Sequence, residues 1–329
     1  MKSIVFFNNK GGVGKTTMVY HVAWMLSKLG IKTVAIDLDP QSNLTSMFLS
    51  LDRLEEIYEK NLPITVLDSI IPVVSGDPYK SIHVETINED LGLIIGNLSL
   101  SSFEDKLSDA WLKCLGGDSY SFRVTSLFNT IIQEAASKFS ADIVLIDVGP
   151  NLGAINRAVT ISSDYIIMPV ASDLFSLQGI KNLGITLNTW KDDWRDRILK
   201  KPSNLSFEIP KARAKAAGYI IMQYTAKESR PVKSYLKWAN RIPIFYSQYV
   251  LRINESPADV VSDKNCIALL KHFHSLAPMS MEAHKPMFLL KPADGAIGAH
   301  VYAVHNCYEE FEKLSRKIIS IVNKPDSNV

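Results

Sequence analysis

Eight consecutive residues, Lys10-Gly11-Gly12-Val13-Gly14-Lys15-Thr16-Thr17, bring together the groups that hold a polyphosphate. Gly11, Gly12 and Gly14 let successive backbone N–H groups converge on oxygens with no Cβ in the way. Lys15 can neutralise β- and γ-phosphate charge, and the Thr16 hydroxyl can hold Mg2+. A helix beginning there adds its positive N-terminal dipole. The strict pattern G-x-x-x-x-G-K-[ST] is not met, because Asn9 stands where the first glycine belongs. Three aspartates extend the chemistry. Asp37 and Asp39 end one short apolar run and Asp147 ends another. Carboxylates at other strand ends are part of the context that confirms such a loop.

The elements needed to position these groups are legible as short apolar runs alternating with helical patterns. Residues 3–7, 32–38, 91–95, 141–146, 164–170 and 217–222 read as strands. Residues 16–29 have helical periodicity closed by Gly30, and 174–190 form another helix-like segment. Nearly continuous apolar strands alternating with helices predict an α/β fold, a mostly parallel, doubly wound sheet with helices on both faces. Ligands of such sheets bind beyond the C-terminal strand ends, where the phosphate loop and the aspartates fall. No linker divides the chain, so one domain over residues 1–329 is expected. Residues 50–90 and 262–298 read as irregular segments that could pack on an edge of the sheet.

The departure at Asn9 is itself informative. Lys-Gly-Gly-x-Gly-Lys-Thr-Thr resembles the deviant Walker A motif of the ParA/MinD family of P-loop ATPases. Asp37-Leu38-Asp39-Pro40-Gln41-Ser42-Asn43-Leu44-Thr45 is similar to that family's switch I, and residues 143–150 to its Walker B strand running into switch II. The resemblance implies ATP and Mg2+ as cofactors, bound by residues 11–17. Lys15 becomes the phosphate lysine in cis, and Lys10 reaches across a homodimer to the partner's nucleotide. Asp39 orients the attacking water, while Thr16, Asp37 and Asp147 serve the metal. Asn156 falls where the family has an asparagine opening the next helix. Gly149-Pro150 replaces the usual pair of prolines. Residues 253–257 and 293–300 match weaker family segments, leaving 50–90, 190–215 and 262–292 as inserted segments. Residues 221–224 lack the asparagine often found in MinD-like members, so no base-contacting residue is assigned, and ATP specificity follows from resemblance alone.

Composition narrows the partner. Between residues 191 and 252 there are 14 basic against 5 acidic side chains, while the rest of the chain carries 22 against 29. Lys211, Arg213, Arg230, Lys233, Lys237 and Arg241, among interleaved aromatics, are candidates for contacting a nucleic-acid backbone. A solvated helical face with core aromatics fits that stretch equally well. The resemblance implies a nucleotide-timed switch that binds DNA without sequence preference and works with a ParB-like activator in DNA segregation or organisation. With the phosphate loop starting at residue 10, no preceding helix-turn-helix domain is expected. The alternative is a MinD-like positioning or regulatory switch acting on a protein partner or membrane, in a specialised operon-encoded system. A metabolic kinase or ligase on the same scaffold lacks a substrate-pocket motif. The amphipathic stretch 311–322 is read as packing on the sheet rather than on a membrane. Cys114, Cys266 and Cys307 form no metal-binding pattern, and His272, His274, His284, His300 and His305 lack ligand spacing. With no signal-peptide pattern, a cytoplasmic protein with free thiols is expected.

Overall fold

The computed structural model describes residues 1–224, 226–227, 230–231, 237–255, 257 and 259–324. The strands are β1 (Lys2–Phe6), β2 (Thr33–Leu38), β3 (Glu85–Asn88), β4 (Leu91–Ile94), β5 (Ile143–Val148), β6 (Tyr165–Val170), β7 (Lys215–Tyr224), the two-residue pair β8 (Ala226–Lys227) and β9 (Arg230–Pro231), and β10 (Cys266–Lys271). Eight of them form one sheet in the order β10-β7-β6-β1-β5-β2-β4-β3, parallel throughout except at β3. β8 and β9 pair separately.

The alternation of side chains along each strand explains why both faces are covered. In β1, Ile4 and Phe6 join one apolar layer and Val5 the other; in β5, Ile143 and Leu145 point one way, Val144 and Ile146 the other. The first layer packs on α1 (Lys15–Lys28), α2 (Asn43–Phe48), α3 (Leu51–Glu59) and a C-terminal helix, Ala299–Val322. The opposite layer packs on α4 (Leu67–Ser75), α7 (Leu127–Phe139), α8 (Ala154–Ser162) and α9 (Leu174–Ile198). Between β4 and β5, α5 (Glu104–Lys113) and α6 (Ser119–Thr125) complete the chain. A small third cluster of Trp111, Cys114, Phe122, Ile161, Trp194 and Ala212 lies beside the second layer.

Two expectations need correction. Residues 50–90 are not irregular: they form α3, α4 and β3, and the β3 edge is closed by ion pairs from Arg53 to Glu85. Residues 262–292 contain β10, the opposite edge strand, then a short helix, Leu276–Ala283. Tertiary pairing with β7 organised an apolar run that has no strong local strand signal. The β10–β7 ladder carries two register shifts, between Cys266 and Ala268 and between Leu269 and Lys271. The helix expected over 174–190 runs eight residues further, to Ile198, because Trp190, Trp194 and Arg197 are buried.

The stripe of Phe311, Leu314, Ile318 and Val322 is buried in the first layer, as its periodicity predicts. Among the described residues no helix is long and apolar enough to cross a membrane. All three cysteines are free and buried.

Candidate nucleotide site

β1 delivers the chain into the glycine loop, and Asn8 seats it. The Asn8 side-chain amide donates to the Pro169 carbonyl at 2.6 Å, and its oxygen accepts from the Lys10 amide at 3.0 Å. Gly12 and Gly14 have φ of 73° and 83°, left-handed values that a side chain would strain. Gly11, by contrast, has no left-handed φ, and no protein atom lies within 4 Å of where its Cβ would stand. Lys15 then opens α1, whose N-terminus has no side-chain cap, so its amides are available to an anion.

The aspartates arrive by strand register. Asp147 pairs with Phe6 of β1 on one side and with Asp37 of β2 on the other, which sets both carboxylates beside the loop. Burial works against the Lys15 ammonium and lowers its pKa, while Asp147 and Asp39 pull it back up. The three side chains therefore share one pocket of charge. Asp147 is fully buried, and neither of its oxygens has a protein hydrogen bond of good geometry. Burial raises its pKa well above the carboxylate range and Asp37 adds to the shift, with the nearby Thr16 hydroxyl and Lys15 opposing. A buried carboxylate left without donors is costly unless another group completes it. A hydrated divalent cation beside Thr16 would do so, and the donor set of hydroxyl and carboxylates fits magnesium.

Asp37 is differently engaged. Its Oδ2 accepts from the Thr45 amide at 2.8 Å and the Thr45 hydroxyl at 2.7 Å, and Oδ1 accepts from the Asp39 amide at 3.3 Å. Burial pushes its pKa up to about 6 against those bonds. Asp37 thus ties α2 to β2, while Asp147 is the carboxylate with free valence. Asp39 accepts from the Gln41 amide at 3.0 Å, and its Oδ1 lies 3.3 Å from where a Cβ on Gly149 would sit. Asn156 donates to the carbonyls of Gly149 and Asn151 at 2.8 and 2.6 Å, binding the turn after β5 to α8.

Lys10 is held within the chain by Asp173, at 2.6 Å between Nζ and Oδ2. Asp173 is also the N-cap of α9, accepting from the Ser176 amide at 2.8 Å. Burial opposes the Asp173 carboxylate, but Lys10 and that cap hold its pKa below the usual range.

Several supporting residues escape sequence reading. His21 is fully buried: its Nδ1 donates to the Thr17 carbonyl at 2.7 Å and its Nε2 accepts from the Met287 amide at 3.1 Å. A carbonyl can only accept, so the proton sits on Nδ1. Burial lowers the His21 pKa to about 4, the Thr17 bond opposing. Asn8 and His21 each have one partner far along the chain, 161 and 266 residues away, which no local pattern announces. Asp173 does carry one, an aspartate immediately before a helical run.

The basic candidates are less coherent. Lys211 and Arg213 are exposed in the stretch before β7, on either side of buried Ala212. Lys237 and Arg241 are exposed and both lie over the Trp238 ring, at 5.1 and 5.4 Å. Lys233 lies outside the described residues, as does the side chain of Arg230. Trp190, Trp194 and Tyr246 are buried in the interior and cannot stack on a base. In the weaker matching segment, Glu255 pairs with Lys264 at 2.9 Å, and Ser256 lies outside the described residues. His272 and His274 bring their rings within 4.4 Å in a non-helical stretch, yet no metal-binding group exists among the described residues.

The sheet order, the glycine loop after β1 and the aspartates on β2 and β5 define a P-loop ATPase. A family model described as an AAA domain (AAA_31) matches residues 1–200. The uncharacterized protein MJECL24 of Methanocaldococcus jannaschii is 30% identical over 237 residues, 71% of this chain and 77% of that protein. The chromosome-partitioning ATPase Soj of Thermus thermophilus is 25% identical over 189 residues, 57% of this chain and 61% of Soj. Of several other curated relatives, the chain spans about half the length. Among solved structures, protein DIP2308 of Corynebacterium diphtheriae shares the fold, with a TM-score of 0.72 and 22% identity over 98% of this chain and 99% of that one. The chain belongs to the ParA/MinD-type P-loop ATPases.

Proposed function

We propose that the protein is an ATP-hydrolysing switch that pairs through its nucleotide face and opens on hydrolysis. The observation carrying this reading is Asp147: a fully buried carboxylate that makes no hydrogen bond of good geometry, next to Lys15, Thr16 and an uncapped helix N-terminus. Mg2+ bound with ATP would neutralise charge on the β- and γ-phosphate oxygens. Thr16 and Asp147 would hold that ion, Asp37 acting through its grip on Thr45. The amides of residues 12–17 and the Lys15 ammonium would bind phosphate oxygens and stabilise charge developing on the γ-group. Asp39, with Gly149 beside it, would orient water.

Pairing is supported by the surface around the loop. Leu98, Leu152, Leu174 and Phe175 are exposed on segments that follow the C-terminal ends of β4, β5 and β6, Phe175 being 74% accessible. Apolar side chains grouped at one end of a sheet suit an interface with a second copy. In that arrangement Lys10 would exchange Asp173 for the partner's nucleotide. Light scattering with ATP and with ADP tests it: a dimer in ATP alone supports the reading, and a monomer in both rejects it.

For cargo, the basic stretch supports non-specific DNA binding, with an activating partner shortening the lifetime of the ATP state. The burial of Trp190, Trp194 and Tyr246 favours the second reading, a switch acting on a protein partner. ATPase rates alone, with non-specific DNA and with the product of the neighbouring gene separate the two. Stimulation requiring DNA selects segregation or organisation of DNA, and stimulation by the protein alone selects a positioning role.

A further inference from the structure

The turn that follows Asp147 is anchored by a residue far from it in sequence. α8 has no side-chain cap from its own N-cap residue, Gly153. Glu104, the first residue of α5, takes that place from 50 residues upstream. Its Oε1 accepts from the Ala154 amide at 2.5 Å and its Oε2 from the Ile155 amide at 3.0 Å. A carboxylate straddling the first amides of a helix satisfies orphan donors and meets the positive end of the helix dipole.

Gly153 is fitted to this carboxylate. Its φ of −82° is open to any residue, so conformation does not demand glycine. A Cβ there, however, would stand 1.8 Å from Glu104 Oε1 and 2.9 Å from Asn151 Oδ1. A side chain at 153 would force the Glu104 carboxylate out of its present position on these amides. α5 also grips α8 one turn further on. The Arg157 guanidinium lies 4.3 Å from the centre of the Trp111 ring, which Arg197 of α9 approaches at the same distance. Arg157 Nε is buried with no hydrogen-bond partner, so the ring is what receives that side chain.

From the capped end the structure runs back to the nucleotide site without slack. Asn156 of α8 ties the carbonyls of Gly149 and Asn151, and Gly149 stands against Asp39. We infer that Glu104 is a positioning residue for the turn over residues 149–153, fixing where Gly149 and Asp39 stand relative to the phosphate loop. Glu104 acts through α8 rather than on the nucleotide. This rests on the hydrolytic switch proposed above, and the cap itself can be measured without it.

The test uses the full chain with Glu104→Ala, Glu104→Gln and Gly153→Ala, followed by hydrogen exchange, steady-state hydrolysis and binding of a fluorescent ADP. Without nucleotide, Glu104→Ala should speed exchange at the Ala154 and Ile155 amides about tenfold or more. With ATP it should lower kcat about tenfold while KM and ADP affinity stay within about twofold, since ADP does not engage the water-positioning groups. Glu104→Gln, which keeps one accepting oxygen and the same shape, should fall between, and Gly153→Ala should match Glu104→Ala. Parental exchange at 154 and 155 in Glu104→Ala overturns the cap. Faster exchange with parental kcat overturns positioning and leaves a helix clamp. If the parental chain hydrolyses no ATP, the switch reading fails, and exchange still decides the cap. Should Gly153→Ala not fold, the near-isosteric Glu104→Gln carries the comparison.

Discussion

The loop end of the sheet and the basic stretch over residues 191–252 are both rich in charge, and they use it in opposite ways. At the loop end, Lys15, Asp37 and Asp147 are buried on rigid strand and helix ends, and their pKa values are displaced by burial. In the basic stretch, Lys211, Arg213, Lys237 and Arg241 are exposed, and of the interleaved aromatics Trp190, Trp194 and Tyr246 lie in the core while Trp238 is half-buried beneath Lys237 and Arg241. A buried charge without a partner is a structural expense that only a ligand or a reaction explains. An exposed charge is tolerated almost anywhere. Residue type alone therefore identifies chemistry in the first region and only net charge in the second.

The sharpest way to break this contrast is Lys15→Ala. Loss of a preorganised phosphate cation should cost about 10^2-fold or more in hydrolysis, read by phosphate release. A rate within a few-fold of the parent would show that the buried cluster is not the reacting centre. Lys10→Ala should come next. ATP-dependent association should weaken about tenfold or more while monomeric nucleotide binding is kept, as removal of a desolvated interface cation predicts. Light scattering checks it; intact dimers would mean that the pair with Asp173 is the whole of its role.

A smaller effect concerns pH. His21 is a base with a folded pKa of about 4, below its ordinary value of 6.5, so the unfolded chain binds more protons between those limits. Its contribution to stability should be full above about pH 6.5 and lost as pH falls towards 4. Asp37, raised to about 6, acts in the other direction, its contribution fading as pH rises through 6. Melting temperatures of the parent and His21→Phe, compared at pH 5 and 7.5, isolate the histidine. The deficit of the variant should be greater at pH 7.5. The smallest effects belong to the basic stretch. Lys211→Ala or Arg241→Ala should each change DNA affinity by about threefold or less at moderate salt, as single phosphate contacts do. A much larger loss at either position would give that stretch a built site.

Much of the loop end is legible in sequence because its logic is local. Glycines at Gly12 and Gly14 serve their own φ, and Lys15 and Thr16 follow at fixed spacing into α1. The aspartates could be placed because strand ends in parallel sheets share an edge. What sequence left dark is held by distance. Asn8 reaches Pro169, His21 reaches Met287 and Glu104 reaches Ala154, none within reach of periodicity or motif spacing. Gly153 could be recognised as a glycine but not as one shaped by a carboxylate from elsewhere. β10 failed for the related reason that its strand character comes from β7. The glycine in Gly149-Pro150, a departure when read along the chain, sits in the structure where Asp39 approaches most closely.

The two ends of the sheet have a consequence for how the protein keeps company with itself. Unpaired strand edges recruit other strands, and concentrated protein aggregates along them. Here one outer strand, β3, is short, runs antiparallel to its one neighbour, β4, and carries Glu85 clasped by Arg53. The other, β10, is six residues long and shifts register twice against β7. Both margins are poor templates for lateral growth. A switch that pairs and separates as proposed above would gain from such fencing, because encounters along the sheet margins then lead nowhere. Crowding many copies onto one cargo would raise their local concentration without seeding a filament of continuous β-structure.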